Sequence, residues 1–295
     1  MTQIAFIGLG HMGSPMTKNL LKAGLTVKVF DISAGAMQSL TAHGAIATHS
    51  IPEAVQDADV IITMLQTGQQ VSDVCLGSNG LFAHTKPNVL YIDSSSIDIT
   101  TTRELHITAK KAEIAMLDAP VSGGVAGAEA GTLTFMVGGT EENFNRGKPI
   151  FEKMGKKVVH AGLAGSGQAA KICNNLILGI SMIGVSEAFI LGEKLGLDPK
   201  KFFEISSNAS GQCWSMTSYC PVPGLVEKAP SNNEFKPGFA ASMMLKDLHL
   251  GQHAAESVNA AIPMGTIATE LYTLFVNQGH ADTDFSGIIK MLAGE

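Results

Sequence analysis

The run Gly8-Leu9-Gly10-His11-Met12-Gly13 constrains this chain more than any other feature, because it follows a short apolar run, Ile4 to Ile7, and opens onto a helical pattern from Ser14 to Ala23. A second apolar run, Thr26 to Phe30, ends in Asp31. Strand, glycine turn, helix, strand and acid thus follow one another in the register of a dinucleotide-binding unit. In that reading Gly8 permits the tight turn, Gly10 lets the main chain approach a pyrophosphate, and Gly13 lets the helix pack on the strand. The helix N-terminus then offers unpaired N–H groups to the phosphates. Asp31 accepts hydrogen bonds from the adenosine ribose. A carboxylate repels a 2′-phosphate, and Ile32-Ser33-Ala34 supplies no base to neutralise one, so the pattern predicts NAD rather than NADP. The other reading of Asp31 is a helix N-cap, a role open equally to Ser33.

The length, 295 residues, exceeds what one compact core usually organises, and 45% hydrophobic residues suffice to build two. A net charge of −6 argues against nucleic acid as a partner. Cys75, Cys173, Cys213 and Cys220 form no C-x-x-C pair, and the sequence reads as one without a signal peptide. Free thiols in a reducing, cytoplasmic compartment are therefore expected. The apolar stretch Ile172 to Leu191 has the length of a membrane span, but Asn174, Asn175 and Glu187 interrupt it at a cost in lipid, so a buried helix is predicted and no membrane partner.

Short apolar runs at Val60 to Met64, Val89 to Ile92, Ile114 to Leu117 and Leu133 to Val137 alternate with helical stretches. Such alternation predicts a doubly wound, mostly parallel sheet of the Rossmann type. Lys156 to His160 reads as its last strand, after which Ala161-Gly162-Leu163-Ala164-Gly165-Ser166-Gly167 breaks the pattern. We place a nucleotide-binding α/β domain at 1–164 and an all-helical domain at 165–295. Helices are expected from Gln168 to about Leu195, Pro199 to Ser207, Phe239 to Ser257 and Pro263 to Gln278. Tyr219 to Gly238, dense in Pro, Gly and Asn, reads as a long ordered loop.

Two further segments carry chemistry. In Gly165-Ser166-Gly167-Gln168-Ala169-Ala170-Lys171-Ile172-Cys173-Asn174-Asn175, Lys171 and Asn175 stand one helical turn apart on one face. A lysine among apolar neighbours loses hydration, which disfavours its charged form and suits it to exchange a proton with an alcohol. In Asp118-Ala119-Pro120-Val121-Ser122-Gly123-Gly124, at the end of a predicted strand, Ser122 offers a hydroxyl and the glycines can turn N–H groups toward a carboxylate. His249 and His253 have metal-ligand spacing but no third ligand, and no metal is expected. Trp214, the single tryptophan, could line the substrate pocket, but a place in the core of the helical domain is the reading expected of a lone aromatic there.

Phe6 to Gly13 with Met16 and Asn19, Asp118 to Gly124, Gly165 to Asn175, and Lys246-Asp247-Leu248 occur in this order. With them the chain resembles the β-hydroxyacid dehydrogenase family over nearly its whole length. The resemblance implies NAD-dependent oxidation of a small 3-hydroxy acid to its semialdehyde. It implies a proton-transfer role for Lys171 and substrate contacts from Ser122, Gly123, Gly124 and Asn175. Cofactor contacts are implied along Gly8, Leu9, Gly10, His11, Met12 and Gly13, at Asp31, Leu65 and Ser96, and near the nicotinamide at Lys246. Ser96 could equally cap the helix that begins near Thr100, and Asp247 could orient Lys246 or simply neutralise it. Cys213-Trp214-Ser215 and Pro221-Val222-Pro223-Gly224 resemble the hydroxyisobutyrate branch, which serves valine degradation. Glycerate with tartronate semialdehyde, L-serine and 4-hydroxybutyrate are the alternative substrates. A non-catalytic dinucleotide-binding protein is the alternative outside catalysis. The family further implies a homodimer or homotetramer.

Overall fold

Strand β1 (Gln3–Ile7) explains how the first half is organised, since its side chains alternate between two cores. Ile4 and Phe6 pack into one cluster, and Ala5 and Ile7 into another on the opposite face. A strand buried on both faces must be apolar throughout, which is why these segments read as unbroken apolar runs. Each such Ile or Phe contributes roughly 1.5–3 kcal/mol on leaving water.

The computed structural model describes residues 2–295. Its sheet comprises β1, β2 (Thr26–Phe30), β3 (Ile46–Ala47), β4 (Val60–Thr63), β5 (Leu90–Asp93), β6 (Ala115–Asp118), β7 (Val121–Ser122), β8 (Leu133–Gly138) and β9 (Gly155–Gly162). The order is β3-β2-β1-β4-β5-β6-β8-β7, with β9 also paired to β8. From β3 to β6 every pairing is parallel. This is the doubly wound arrangement that places ligands beyond the carboxyl ends of the strands. β8 runs antiparallel to β6 and β7, and β9 parallel to β8. The sequence shows no run for β3 or β7, because both are two residues long and β3 is exposed.

By its packing the chain divides after Lys171, with the second unit spanning Ile172–Glu295. This lies seven residues beyond the break read from the sequence. The first turns of the long helix, Ser166–Lys194, are hydrogen-bonded to the sheet's strand ends and so belong with the first unit. That helix has the length and composition of a membrane span, yet 44% of its most apolar stretch is buried. The prediction of a buried helix holds for that part only, since Ile177 and Leu191 are exposed.

In the second unit, the helix Ala241–Ser257 presents Ala241, Met244, Leu248 and Ala255 at helical spacing. The first three pack with Ala268, Tyr272 and Phe275 of the helix Pro263–Phe275. That helix ends three residues before the predicted Gln278, passing into a π-helical turn with Gly279 at φ 95°. The Tyr219 to Gly238 segment is an ordered loop tied by its own bonds: Ser231 Oγ donates to Cys220 O, and Tyr219 Oη and the Gly238 N–H donate to the buried Asp284 carboxylate. All four cysteines are free thiols.

Candidate active site

Gly8, at φ 94°, donates its N–H to Phe30 O, and a Cβ there would fall on the Met64 carbonyl. A Cβ on Gly13 would collide with the Gly8 carbonyl oxygen. Around Gly10, by contrast, the space a Cβ would fill is open. The helix Gly13–Lys22 begins without a side-chain cap. Leu9, Gly10, His11, Ser14, Lys18 and Gln66 line a cleft of about 590 Å³ over this turn. Open main chain, an uncapped helix N-terminus and lysine at the rim fit a dinucleotide's pyrophosphate.

Asp31 has a further task that sequence reading missed. Its Oδ2 accepts from Leu9 N at 2.6 Å and its Oδ1 from Ser33 N at 2.7 Å, so the carboxylate closes the glycine turn. A carboxylate has about four acceptor positions, which leaves room for ribose hydroxyls. The helix cap is Ser33, whose Oγ accepts from Ala36 N.

Beyond β4 and β5 a buried network joins the two loops that hold Leu65 and Ser96. Asp93 Oδ1 accepts from Thr63 Oγ1 at 2.8 Å and from Ser95 N at 3.1 Å, and Ser95 Oγ accepts from Leu65 N at 2.9 Å. Burial pushes the Asp93 carboxyl up to about 6. The hydrogen bonds from Ser95 and Thr63 oppose the rise, and the charge of Asp118 adds to it. Ser96 does not cap the next helix; Asp98 does, accepting from Thr101 N at 2.7 Å.

Asp118, fully buried at the end of β6, fixes the start of the long helix. Its Oδ1 accepts from Gly165 N at 2.9 Å and its Oδ2 from Gln168 N at 3.1 Å, while His106 Nε2 lies 2.9 Å from Oδ1. A carboxylate at a helix N-terminus is also favoured by the helix dipole. The Gln168 side chain reaches the Ser96 loop: Nε2 donates to Ser95 O at 2.7 Å and Oε1 accepts from Ile97 N at 3.2 Å. One turn further, Lys171 is 9% exposed. β7 carries Ser122, after which Gly123 and Gly124 adopt φ 138° and 62°, a bend suited to glycine.

Within the second unit, Asn175 is 1% exposed. Its Nδ2 donates to Asp247 Oδ2, and its Oδ1 accepts from Asn174 Nδ2 at 2.9 Å. Lys246 Nζ lies 3.4 Å from Asp247 Oδ1. Asp247 therefore both pairs with Lys246 and holds the Asn175 amide. Trp214 is 48% exposed and stacks on Tyr219, so it is not a core residue.

Residues 3–162 match the model of the NAD binding domain of 6-phosphogluconate dehydrogenase. Residues 165–292 match that described as NAD-binding of NADP-dependent 3-hydroxyisobutyrate dehydrogenase. The chain belongs to the β-hydroxyacid dehydrogenase family. It is similar to an NAD-dependent L-serine dehydrogenase of Pseudomonas aeruginosa, 49% identical over 99% of this chain and 98% of that one. It is also 45% identical to a 3-hydroxyisobutyrate dehydrogenase of the same organism, with both chains fully covered. Among solved structures, a Mycobacterium tuberculosis 3-hydroxyisobutyrate dehydrogenase with L-serine superposes with a TM-score of 0.94 at 47% identity, covering 99% of each chain. The protein is thus an NAD-dependent oxidoreductase of that family.

For this dehydrogenase, sequence reading missed Asp93, the bonds of Asp118 and Gln168, and the double role of Asp247. A signal existed for Asp93 and Asp118, since each is an acid closing an otherwise apolar strand. Their partners lie up to 50 residues away in sequence, beyond the reach of spacing arguments.

Proposed function

We propose that this dehydrogenase oxidises 3-hydroxyisobutyrate to methylmalonate semialdehyde, the step expected in valine degradation. NAD, when bound, supplies the hydride acceptor. Lys171 takes the hydroxyl proton and stabilises the developing alkoxide. Ser122, Gly123 and Gly124 hold the substrate carboxylate. Asn175, its amide oriented by Asp247, holds the substrate beside Lys171. Gly8, Leu9, Gly10, His11, Met12, Gly13, Asp31, Leu65, Ser96 and Lys246 contact the cofactor. The observation that carries the reading is the buried lysine on a helix whose first turn is bonded to the ends of β5 and β6, where an open α/β sheet presents its ligands.

A second reading, L-serine as preferred substrate, is favoured by the 49% identical relative of that name. Methyl and ammonium are close in size but differ in charge, so the two readings differ in whether the pocket offers that group an apolar wall or polar partners. Initial rates of NAD reduction against 3-hydroxyisobutyrate, L-serine, glycerate and 4-hydroxybutyrate rank the substrates. The highest kcat/KM is expected for 3-hydroxyisobutyrate. A higher value for L-serine overturns the first reading in favour of the second, and NAD binding without reduction by any member overturns both.

The proposal extends to a homodimer or homotetramer in a cytoplasmic compartment. Ile177, Leu191, Met264, Ile267 and Leu274 of the second unit are exposed apolar side chains suited to subunit contact. Light scattering of the purified protein is expected to give two or four chains, and a monomer mass contradicts this.

A further inference from the structure

Gln168 is fully buried and spends both ends of its amide on main chain. Nε2 donates to Ser95 O and Oε1 accepts from Ile97 N, so the side chain brackets Ser96 from both sides. Its own N–H donates to Asp118 Oδ2. The residue is thereby fixed at backbone and side chain at once. It stands three residues, about one helical turn, before Lys171, on the adjoining part of the same helix face. Ser95, the residue it grips, accepts from Leu65 N through Oγ and donates its own N–H to Asp93. Both loops assigned to the cofactor therefore converge on Ser95, and Gln168 joins Ser95 to the helix that carries Lys171.

We propose that Gln168 is a positioning residue that fixes Lys171 relative to the Ser96 loop. The inference rests on the proton-transfer role assigned to Lys171. No apolar side chain of the same length can replace the amide without leaving Ser95 O and Ile97 N buried and unpaired. Those groups then recover partners only if the loop or the helix shifts. A displacement of about 1 Å at a reacting group costs on the order of 100-fold in rate. A merely structural Gln168 would instead lower stability and leave the turnover of the folded enzyme alone.

A double-mutant cycle separates these roles. Single-turnover NADH formation is measured for wild type, Gln168→Met, Lys171→Ala and the double variant, with NAD affinity measured by titration. Gln168→Met is expected to slow turnover by about 10- to 100-fold at NAD concentrations that the titration shows to be saturating. In the Lys171→Ala background the same change is expected to slow the residual rate less than about twofold, since the group it positions is gone. Equal slowing in both backgrounds, or wild-type turnover by folded Gln168→Met, overturns the inference while the Lys171 assignment stands. Wild-type turnover by folded Lys171→Ala overturns that assignment and the inference with it. Should Gln168→Met not fold, Gln168→Glu, which keeps the acceptor for Ile97 N and loses the donor to Ser95 O, is put through the same cycle under the same criteria.

Discussion

At the Gly8–Gly13 turn the chain is held mainly by its own backbone, a left-handed glycine and a carbonyl pressed against Gly13, with one side chain added: the Asp31 carboxylate, 22 residues from Leu9, which accepts from Leu9 N and Ser33 N. At Gly165–Asn175 the holding bonds are made by side chains and reach distant segments: Asp118 takes the helix start, Gln168 of the helix itself grips the Ser96 loop, and Asp247 holds Asn175. The turn suits a dinucleotide's pyrophosphate, and its geometry tolerates little change. The helix start suits a reacting group whose position must be set to a fraction of an ångström. Under the proposed function the turn binds and the helix carries the chemistry, and that division can be broken at either place.

The largest effect is expected at the helix. Lys171→Ala should lose roughly two to four orders of magnitude in turnover, with NAD affinity close to wild type. Lys171→Arg should not restore activity, because a guanidinium stays protonated near neutral pH. Steady-state rates and NAD titration check both. Next comes Gly13→Ala, whose Cβ meets main chain that no rotamer change can clear. Strain on the order of 1–3 kcal/mol should weaken NAD binding by about 10-fold or more, with turnover at saturating NAD far less affected. A loss confined to turnover would assign chemistry to the wrong segment.

Asp31→Ser should narrow the preference for NAD over NADP by several-fold in kcat/KM and lower the melting temperature slightly, because Leu9 N and Ser33 N lose their acceptor. A wild-type preference for NADP would contradict the role given to this carboxylate. The smallest effect is expected at Asp93. Its carboxyl titrates near 6 in the fold against 3.8 for the ordinary group. The folded state therefore binds the proton more tightly, and the resulting stability, full below the unfolded value, is lost as pH rises through 6. Above that pH the wild type buries a charge. Asp93→Asn should melt a few degrees higher than wild type near pH 7.5, with the gap closing toward pH 4.5. A constant gap across that range would show that the carboxyl does not titrate as described.

The two regions also differ in how far the sequence reveals them. The glycine turn is legible because each element is local: the apolar run of β1, three glycines at fixed offsets and the acid closing β2 all lie within the first 31 residues. The parallel strands are legible because burial on both faces leaves them apolar, while β3, short and exposed, leaves no such mark. At the helix start the spacing of Lys171 and Asn175 is legible, since helical geometry dictates it. The grip of Asp118 and Gln168 is not, because those bonds span 47 to 73 residues and exist only once the sheet has formed. Trp214 misled for a related reason: a lone aromatic reads as core, whereas stacking on Tyr219 holds it in place while half exposed.

The pH dependence of kcat/KM for NAD-linked oxidation of 3-hydroxyisobutyrate, measured for wild type and Lys171→Ala under identical conditions, tests the central assignment most directly. The wild-type value is expected to rise with pH as Lys171 gives up its proton, and that limb should be absent from the residual activity of the alanine variant. A folded, NAD-binding Lys171→Ala enzyme that keeps both the limb and near-normal turnover would contradict the proton-transfer role and place the chemistry elsewhere in the protein.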